Sequence, residues 1–295
     1  MRHVLFLTLA LIVLGARAHA ATDAPVTVSP PPVVATGEAK VIEISTAEEL
    51  VANVGPNRTL RLQPGTYNLS LVKELPTRHV AWREEFDGKT IVFKELINFS
   101  IEGVDPKQVN VIVLPRYADA LSFKNCQDIK VKNLTAGHKP EKGTCAGDVI
   151  SFETCTGVEI ENCDLFGSGA YGIKLNDVRK ATVRNSIIRE CTYGIMTLDG
   201  VENVRFDGCS FHDNREYDLI TIADSNSVIF ANCQIYNNVA GSGVGEGHLF
   251  SATASSNITV QGCSIRDNTV GEIAYPSSAI EMVDTIIEEQ LPVAP

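Results

Sequence analysis

A unit of about 23 residues that recurs between Ile129 and Cys263 constrains the fold more than any other feature of the chain. Its pattern is apolar-x-apolar-x-(Asn/Gly)-(Cys/Ser). It occurs as Val158-Glu159-Ile160-Glu161-Asn162-Cys163 and returns ending at Ser186, Cys209, Cys233 and Cys263, at steps of 23, 23, 24 and 30 residues. An earlier copy, Ile129-Lys130-Val131-Lys132-Asn133-Leu134, lies 29 residues before the first. Leu165, Ile188, Phe211, Ile235 and Ile265 share a second apolar column. Short alternating runs broken by Asn, Gly and Asp mark strands and turns rather than helices. One such unit buries too little by itself and must stack on its neighbours. Stacked strands place equivalent residues about 4.8 Å apart. The chain is therefore expected to be an all-β solenoid with like residues in ladders. The column Cys163, Ser186, Cys209, Cys233, Cys263 becomes a ladder of small buried residues at a corner. Thiols in a line without convergent histidines do not make a zinc site. Cys126 and Cys155 form a second adjacent-rung pair, Cys145 falls in an insertion and Cys191 in a turn.

The N-terminus reads differently. Arg2 and His3 precede the apolar run Val4 to Gly15, and Ala18-His19-Ala20 is a small-x-small cleavage site. Residues 1–20 are expected to be a signal peptide, with an apolar core too short for a mature membrane span. Residues 21–40, rich in Ala, Val, Thr and Pro, are expected to be a linker. Residues 41–290 form the domain and 291–295 a tail. No later stretch is long and apolar enough to cross a bilayer, so the expectation is a secreted or periplasmic protein without membrane insertion. The formal net charge is −11, and residues 1–20 hold Arg2, Arg17 and no acid, which leaves −13 for the mature chain. Such a balance excludes the basic footprint that nucleic-acid binding needs. It also makes a polyanionic ligand harder to hold unless cations mediate.

Ser45-Thr46-Ala47-Glu48-Glu49 has capping-box spacing and predicts a short helix that covers the open end of the solenoid. After it come Leu60-Arg61-Leu62-Gln63-Pro64-Gly65-Thr66-Tyr67, then Asn98 to Gly103, then Tyr-Gly-Ile at Tyr171 and Tyr193. Taken together, these segments resemble the pectin-lyase-like superfamily over roughly Val41 to Asn268. The resemblance implies a right-handed parallel β-helix with a short N-terminal capping helix. That superfamily holds polysaccharide lyases, glycoside hydrolases, epimerases and proteins without known activity. No single family's catalytic motif matches residue by residue, so the resemblance carries no active site onto this chain.

Aligning the rungs separates the faces. Lys132, Glu161, Arg184 and Asp207 share an outward column whose alternating signs satisfy one another. The strand before it carries the column Asp119, Asp148, Gly172, Gly194, Asp218, His248, with no basic member. The column before that reads Ala118, Gly147, Tyr171, Tyr193, Tyr217, Gly247. Two insertions precede this strand. Thr135 to Gly147 carries His138, Lys139, Glu141 and Lys142, and Val239 to Gly247 carries Glu246. They are expected to wall an aromatic-floored cleft, in which Tyr171, Tyr193, Tyr217, His138 and Glu246 contact a carbohydrate polymer.

The chemistry follows from spacing. Asp119 and Asp148 on adjacent rungs either share a proton or bind a cation, calcium being the candidate cofactor. Asp218 and His248, also on adjacent rungs, are expected to act as base and orienter or as acid and base. Asp148 and Asp218 lie three rungs, roughly 14 Å, apart, too far for a two-carboxylate hydrolase. Lys174 is the best base or cation for removing a proton beside a carboxylate, with Arg189 weaker. The loop Leu71 to Lys89 holds Arg78, His79, Trp82, Arg83, Glu84 and Glu85, with packing expected of Trp82 and a substrate contact open. His212, in the outward column Phe166, Arg189, His212, Tyr236, Arg266, is expected at the surface. Asp148, Lys174, Asp218 and His248 are thus the catalytic candidates of a lyase or epimerase acting on uronic-acid-containing glycans. The competing expectation is a non-catalytic glycan-binding or structural module.

Overall fold

The computed structural model describes residues 39–75, 77–139, 146–167, 169–241, 247–288 and 290. The expected signal peptide, most of the linker and the tail lie outside these residues. The domain is a right-handed parallel β-helix. Among the described residues one sheet has ten strands and two have nine. Each rung visits the sheets in the same order. Strand Ile150–Glu153 lies on the first, Thr156–Glu161 on the second and Asp164–Phe166 on the third. The rung above repeats this with Tyr171–Asn176, Arg179–Arg184 and Ile187–Arg189. All pairings are parallel except one at the edge of the first sheet, where Val80–Glu84 runs antiparallel to Lys89–Lys94. The last rung ends with Ile280–Val283 and Ile286–Ile287, both paired parallel below.

The corners explain the recurring Asn and Gly. Between the second and third sheets, Asn133, Asn162, Asn185, Gly208, Asn232 and Gly262 all have φ between 49° and 63°. That left-handed region costs an ordinary L-residue about 1–2 kcal/mol, and Gly, Asn and Asp occupy it most readily. A second corner, between the first and second sheets, holds Asn125, Thr154, Asp177, Gly200, Asp224 and Ala254 in the same conformation.

Inside, identical columns stack. Phe123 lies on Phe152 at 4.9 Å and Phe206 on Phe230 at 4.8 Å between ring centroids. Seven cysteines are buried free thiols, while Cys145 lies outside the described residues. Cys191, expected in a turn, is buried at the foot of an asparagine ladder. Its backbone N–H donates to Asn214 Oδ1 at 3.1 Å. Asn214 Nδ2 donates to Asn238 Oδ1, and Asn238 Nδ2 to Asn268 Oδ1, each at 2.9 Å. These side chains are fully buried and spend their other donor hydrogens on backbone carbonyls, as buried amides must.

The capping helix is Ala47–Ala52. Thr46 Oγ1 accepts the Glu49 N–H at 3.1 Å, and Glu49 returns its carboxylate to the Ser45 N–H at 2.8 Å. Leu50 and Val51 are buried over the end of the core. Among the described residues, no helix is long and apolar enough to cross a membrane.

Thr154 is β-branched yet sits at φ 54°. Thr154→Asn is expected to raise stability by about 0.5–1.5 kcal/mol, by relieving a left-handed backbone. Urea unfolding of the two proteins measures it, and a lower midpoint for the variant would contradict this reading of the corner.

Candidate functional site

The first sheet carries the site, because its outward columns hold carboxylates that their neighbours do not all neutralise. On the second sheet the charges do cancel, as the sequence pattern predicted. Lys132 lies 3.0 Å from Glu159 and 2.8 Å from Glu161, and Arg205 lies 3.0 Å from Asp207.

Asp119 and Asp148 sit on adjacent rungs, both buried. The backbone N–H of Asp148 donates to Asp119 Oδ1 at 3.0 Å. Asp119 Oδ2 accepts from Ser151 Oγ at 2.9 Å and from Arg83 Nη2 at 3.1 Å. Three donors, one of them cationic, suit the carboxylate form of Asp119. Asp148 is served less well. Its Oδ1 accepts the Tyr171 N–H at 3.2 Å, and its Oδ2 faces Lys174 Nζ at 3.6 Å. Burial, then the negative field of Asp119, push the Asp148 carboxyl up to about 7 against the pull of Lys174. Arg83, Tyr117, Asp119, Asp148, Ser151 and Lys174 line an open cleft of about 360 Å³.

Arg83 reaches this cleft from the antiparallel hairpin at the sheet edge. Residues 71–89, expected as a loop, contain the first strand and the turn of this hairpin. Alternation over Val80 to Arg83, followed by Asp87-Gly88, was the overlooked signal, since Asp-Gly between alternating runs marks a hairpin turn. Trp82 packs against the core, as expected. Arg83 Nε also donates to Glu85 at 2.6 Å, so the guanidinium bridges the hairpin and Asp119.

The tyrosines do not form one ladder. Tyr171 pairs with Gly194 above it, and Ile150 pairs with Ile173, so Tyr171 stands in the carboxylate column above Asp148. Gly172 had been expected there. Gly194 has φ 151°, and a Cβ on it would come within 3.0 Å of the Tyr171 ring. The bare backbone of that glycine is what lets the ring lie down. Tyr193 and Tyr217 do meet, at 5.3 Å between centroids, but with their planes tilted by 57°. The column therefore runs Asp119, Asp148, Tyr171, Gly194, Asp218, His248, Glu272.

Farther along, Asp218 Oδ1 accepts both the backbone N–H and the Nδ1 of His248, each at 2.8 Å. The His248 ring stacks on Tyr275 at 4.7 Å. This pair forms as expected but on rungs remote from Asp148, so the two centres cannot act on one bond. His138 is placed elsewhere than expected. It ends the regular strand Thr135–His138 of the third sheet, and the insertion starts only after it. Buried there, it has Nε2 2.7 Å from the Ala118 carbonyl, and desolvation keeps its pKa low. It is a corner residue and not a cleft wall. Glu246 lies outside the described residues. Arg189 is tied to Asp164 by two bonds of 2.9 Å on the third sheet, away from the cleft. His212, on the same sheet, stacks on Tyr236 at 4.9 Å.

The chain belongs to the right-handed β-helix family, whose profile, described as right handed beta helix region, matches residues 119–289. Over 152 residues it is 24% identical to a capsule K1-specific depolymerase of Klebsiella phage K64-1, a match covering 48% of this chain and 17% of that protein. The chain thus spans under a fifth of that curated relative. Among solved structures, a pectate lyase from Paenibacillus sp. 0602 superposes with a TM-score of 0.54 at 11% identity, covering 86% of this chain and 78% of the other. Escherichia coli ybhc gives 0.53 at 12% identity, covering 88% and 87%. These likenesses show the fold.

The raised Asp148 pKa has a signed consequence for stability. Between the unfolded value and about 7 the folded chain holds a proton that the unfolded chain has released, so this group's contribution to stability falls as pH rises through that window. Asp148→Asn is expected to be more stable than the parent at pH 8, by on the order of 1–4 kcal/mol. The gain should close toward pH 4. Denaturant unfolding at both pH values measures it, and a difference that ignores pH would contradict the assignment.

Proposed function

We propose that this chain acts on uronic-acid-containing polysaccharides, abstracting the proton beside the sugar carboxylate at the Asp119–Asp148 cleft. The observation that carries the reading is a pair of buried carboxylates flanked by two cations on the open face of a β-helix. A uronate needs positive charge to hold its carboxylate and to stabilise the anion that forms when the adjacent C–H loses its proton. Arg83 and Lys174, both half-exposed at the cleft, supply that charge. The base must be stronger than an ordinary carboxylate yet ionised near neutral pH. Asp148, pushed up to about 7, meets both demands. Asp119 is the positioning residue: it receives the Asp148 N–H and raises the Asp148 carboxyl by its field. Breaking the C–O bond two bonds away, with the leaving oxygen taking a proton from water, gives elimination, and delivery of a proton from water to the opposite face gives epimerisation while Asp148 keeps the one it took.

Calcium fits this donor set poorly. Calcium takes six to eight oxygen ligands. Here the Asp119 and Asp148 oxygens already face a guanidinium, an ammonium, a hydroxyl and two backbone N–H groups. Among the described residues, no group of three or more metal-ligating side chains converges. The cations that a lyase needs come from the chain itself in this account. Export is a further part of the proposal, resting on the residue 1–20 pattern.

A panel of acidic polysaccharides, followed for unsaturated and reducing ends together, tests the reading. Unsaturated ends, or inverted uronates by NMR, are expected, unaffected by chelator, with kcat/KM rising with pH to a plateau above about 7. Asp148→Asn should cost about 10²–10⁴ in rate with folding intact, and Arg83→Ala and Lys174→Ala should each raise KM. Polysaccharide binding with neither product, undiminished in Asp148→Asn, would sink the catalytic reading and leave a binding module.

A further inference from the structure

On the strands of the first sheet, Lys and Arg are confined to one end of the helix axis. At the N-terminal end stand Arg83, Lys89, Lys94, Lys124 and Lys174, with Lys124 paired to Glu153 at 2.6 Å and Arg83 and Lys174 beside Asp119 and Asp148. Beyond Lys174 the strands are Gly194–Asp199, Ile220–Ala223, His248–Thr253 and Glu272–Tyr275. None of these carries a Lys or Arg. They present Asp199 and Glu272, with Asp218 entering just before the second. The same stretch holds the tilted ring pair Tyr193–Tyr217 and the stacked pair His248–Tyr275. Tyr217 is 59% exposed and Tyr275 53%. It spans four rungs above Lys174, roughly 19 Å, room for several sugar rings. Aromatic faces attract the C–H faces of pyranoses whatever their charge. Asp218 and Glu272 in the adjoining column repel a carboxylate, and these strands carry no Lys or Arg to offset them, Arg215 standing in the turn before Asp218.

Resting on the acid–base reading above, we infer that the polysaccharide is a mixed polymer. Its uronate seats between Arg83 and Lys174, and neutral sugars lie over Tyr193, Tyr217, His248 and Tyr275. A homopolyuronide would place carboxylates against Asp199, Asp218 and Glu272, and so is the poorer ligand. This specificity is absent from the cleft itself and resides in the rungs beyond it.

The test uses the full chain carrying Asp148→Asn, so that bound glycan is not turned over, with calorimetric binding of two probes. One is hexagalacturonate, charged on every sugar. The other is a gellan octasaccharide, whose repeat carries a single glucuronate among neutral sugars. The gellan probe is expected to bind at least about tenfold tighter, equivalent to roughly 1.4 kcal/mol. Adding Asp199→Asn with Glu272→Gln should tighten hexagalacturonate several-fold and gellan by less. Tyr217→Ala with Tyr275→Ala should weaken gellan more than hexagalacturonate. Equal or tighter binding of hexagalacturonate, unmoved by removing the acids, overturns the inference while leaving the acid–base centre standing. Binding of neither probe overturns it as well. If the polysaccharide panel then also gives no product, the acid–base reading falls with it.

Discussion

Everything in this molecule depends on parallel strands stacked in register, each rung bonding to the next. On the site column the bond is made by side chains as well as backbone. Asp119 gives its N–H to Thr90 Oγ1, Asp148 gives its N–H to Asp119, and Tyr171 gives its N–H to Asp148. Asp218 receives the N–H of His248 in the same way. A carboxylate that accepts a backbone N–H from the rung above is fixed in place and drawn out of water together. The asparagine ladder inside obeys the same rule with neutral amides. There the groups satisfy one another fully. On the face, two acids meet and cannot both be satisfied, and that excess is the chemistry.

The contrast between sheets shows how the excess is confined. On the second sheet Lys130, Lys132 and Arg184 all lie within ion-pair distance of Glu159, and Lys132 also of Glu161. Such exposed pairs stabilise little individually, but they leave no unbalanced field. On the first sheet the balance depends on Arg83, delivered by a hairpin outside the regular repeat, and on Lys174, half-exposed one rung above the acid pair. Both cations can turn to an incoming carboxylate because water already solvates part of each. The core stays in register while the functional charges sit at its edge.

The fold was legible because a solenoid repeats its own physics. The Asn and Gly before each Cys or Ser mark left-handed corners such as Asn162 and Gly208. The apolar alternation marks inward columns such as Leu165 to Ile265. The adjacency of Asp119 and Asp148 was legible for the same reason. What failed was register at irregular points. The two rungs above Asp148 take 23 residues each, which puts Tyr171 in its column, whereas matching Tyr171-Gly172 to Tyr193-Gly194 puts Gly172 there, one position off. His138 was assigned to an insertion because its strand is followed by one, although Thr135–His138 continues the third sheet. Arg83 was missed as a site residue because the antiparallel hairpin has no counterpart in the repeat. Burial, which raises the Asp148 pKa, could not be read from a carboxylate's place in a sequence.

The measurement that tests the account most directly is a carbon-13 NMR titration of the Asp148 carboxyl in the folded protein. The account predicts a midpoint near 7, because the group is buried beside Asp119 with only one backbone donor and a distant ammonium. It also predicts that Asp119→Asn lowers that midpoint by removing the neighbouring charge. An Asp148 midpoint in the ordinary carboxylate range, indifferent to Asp119, would contradict it.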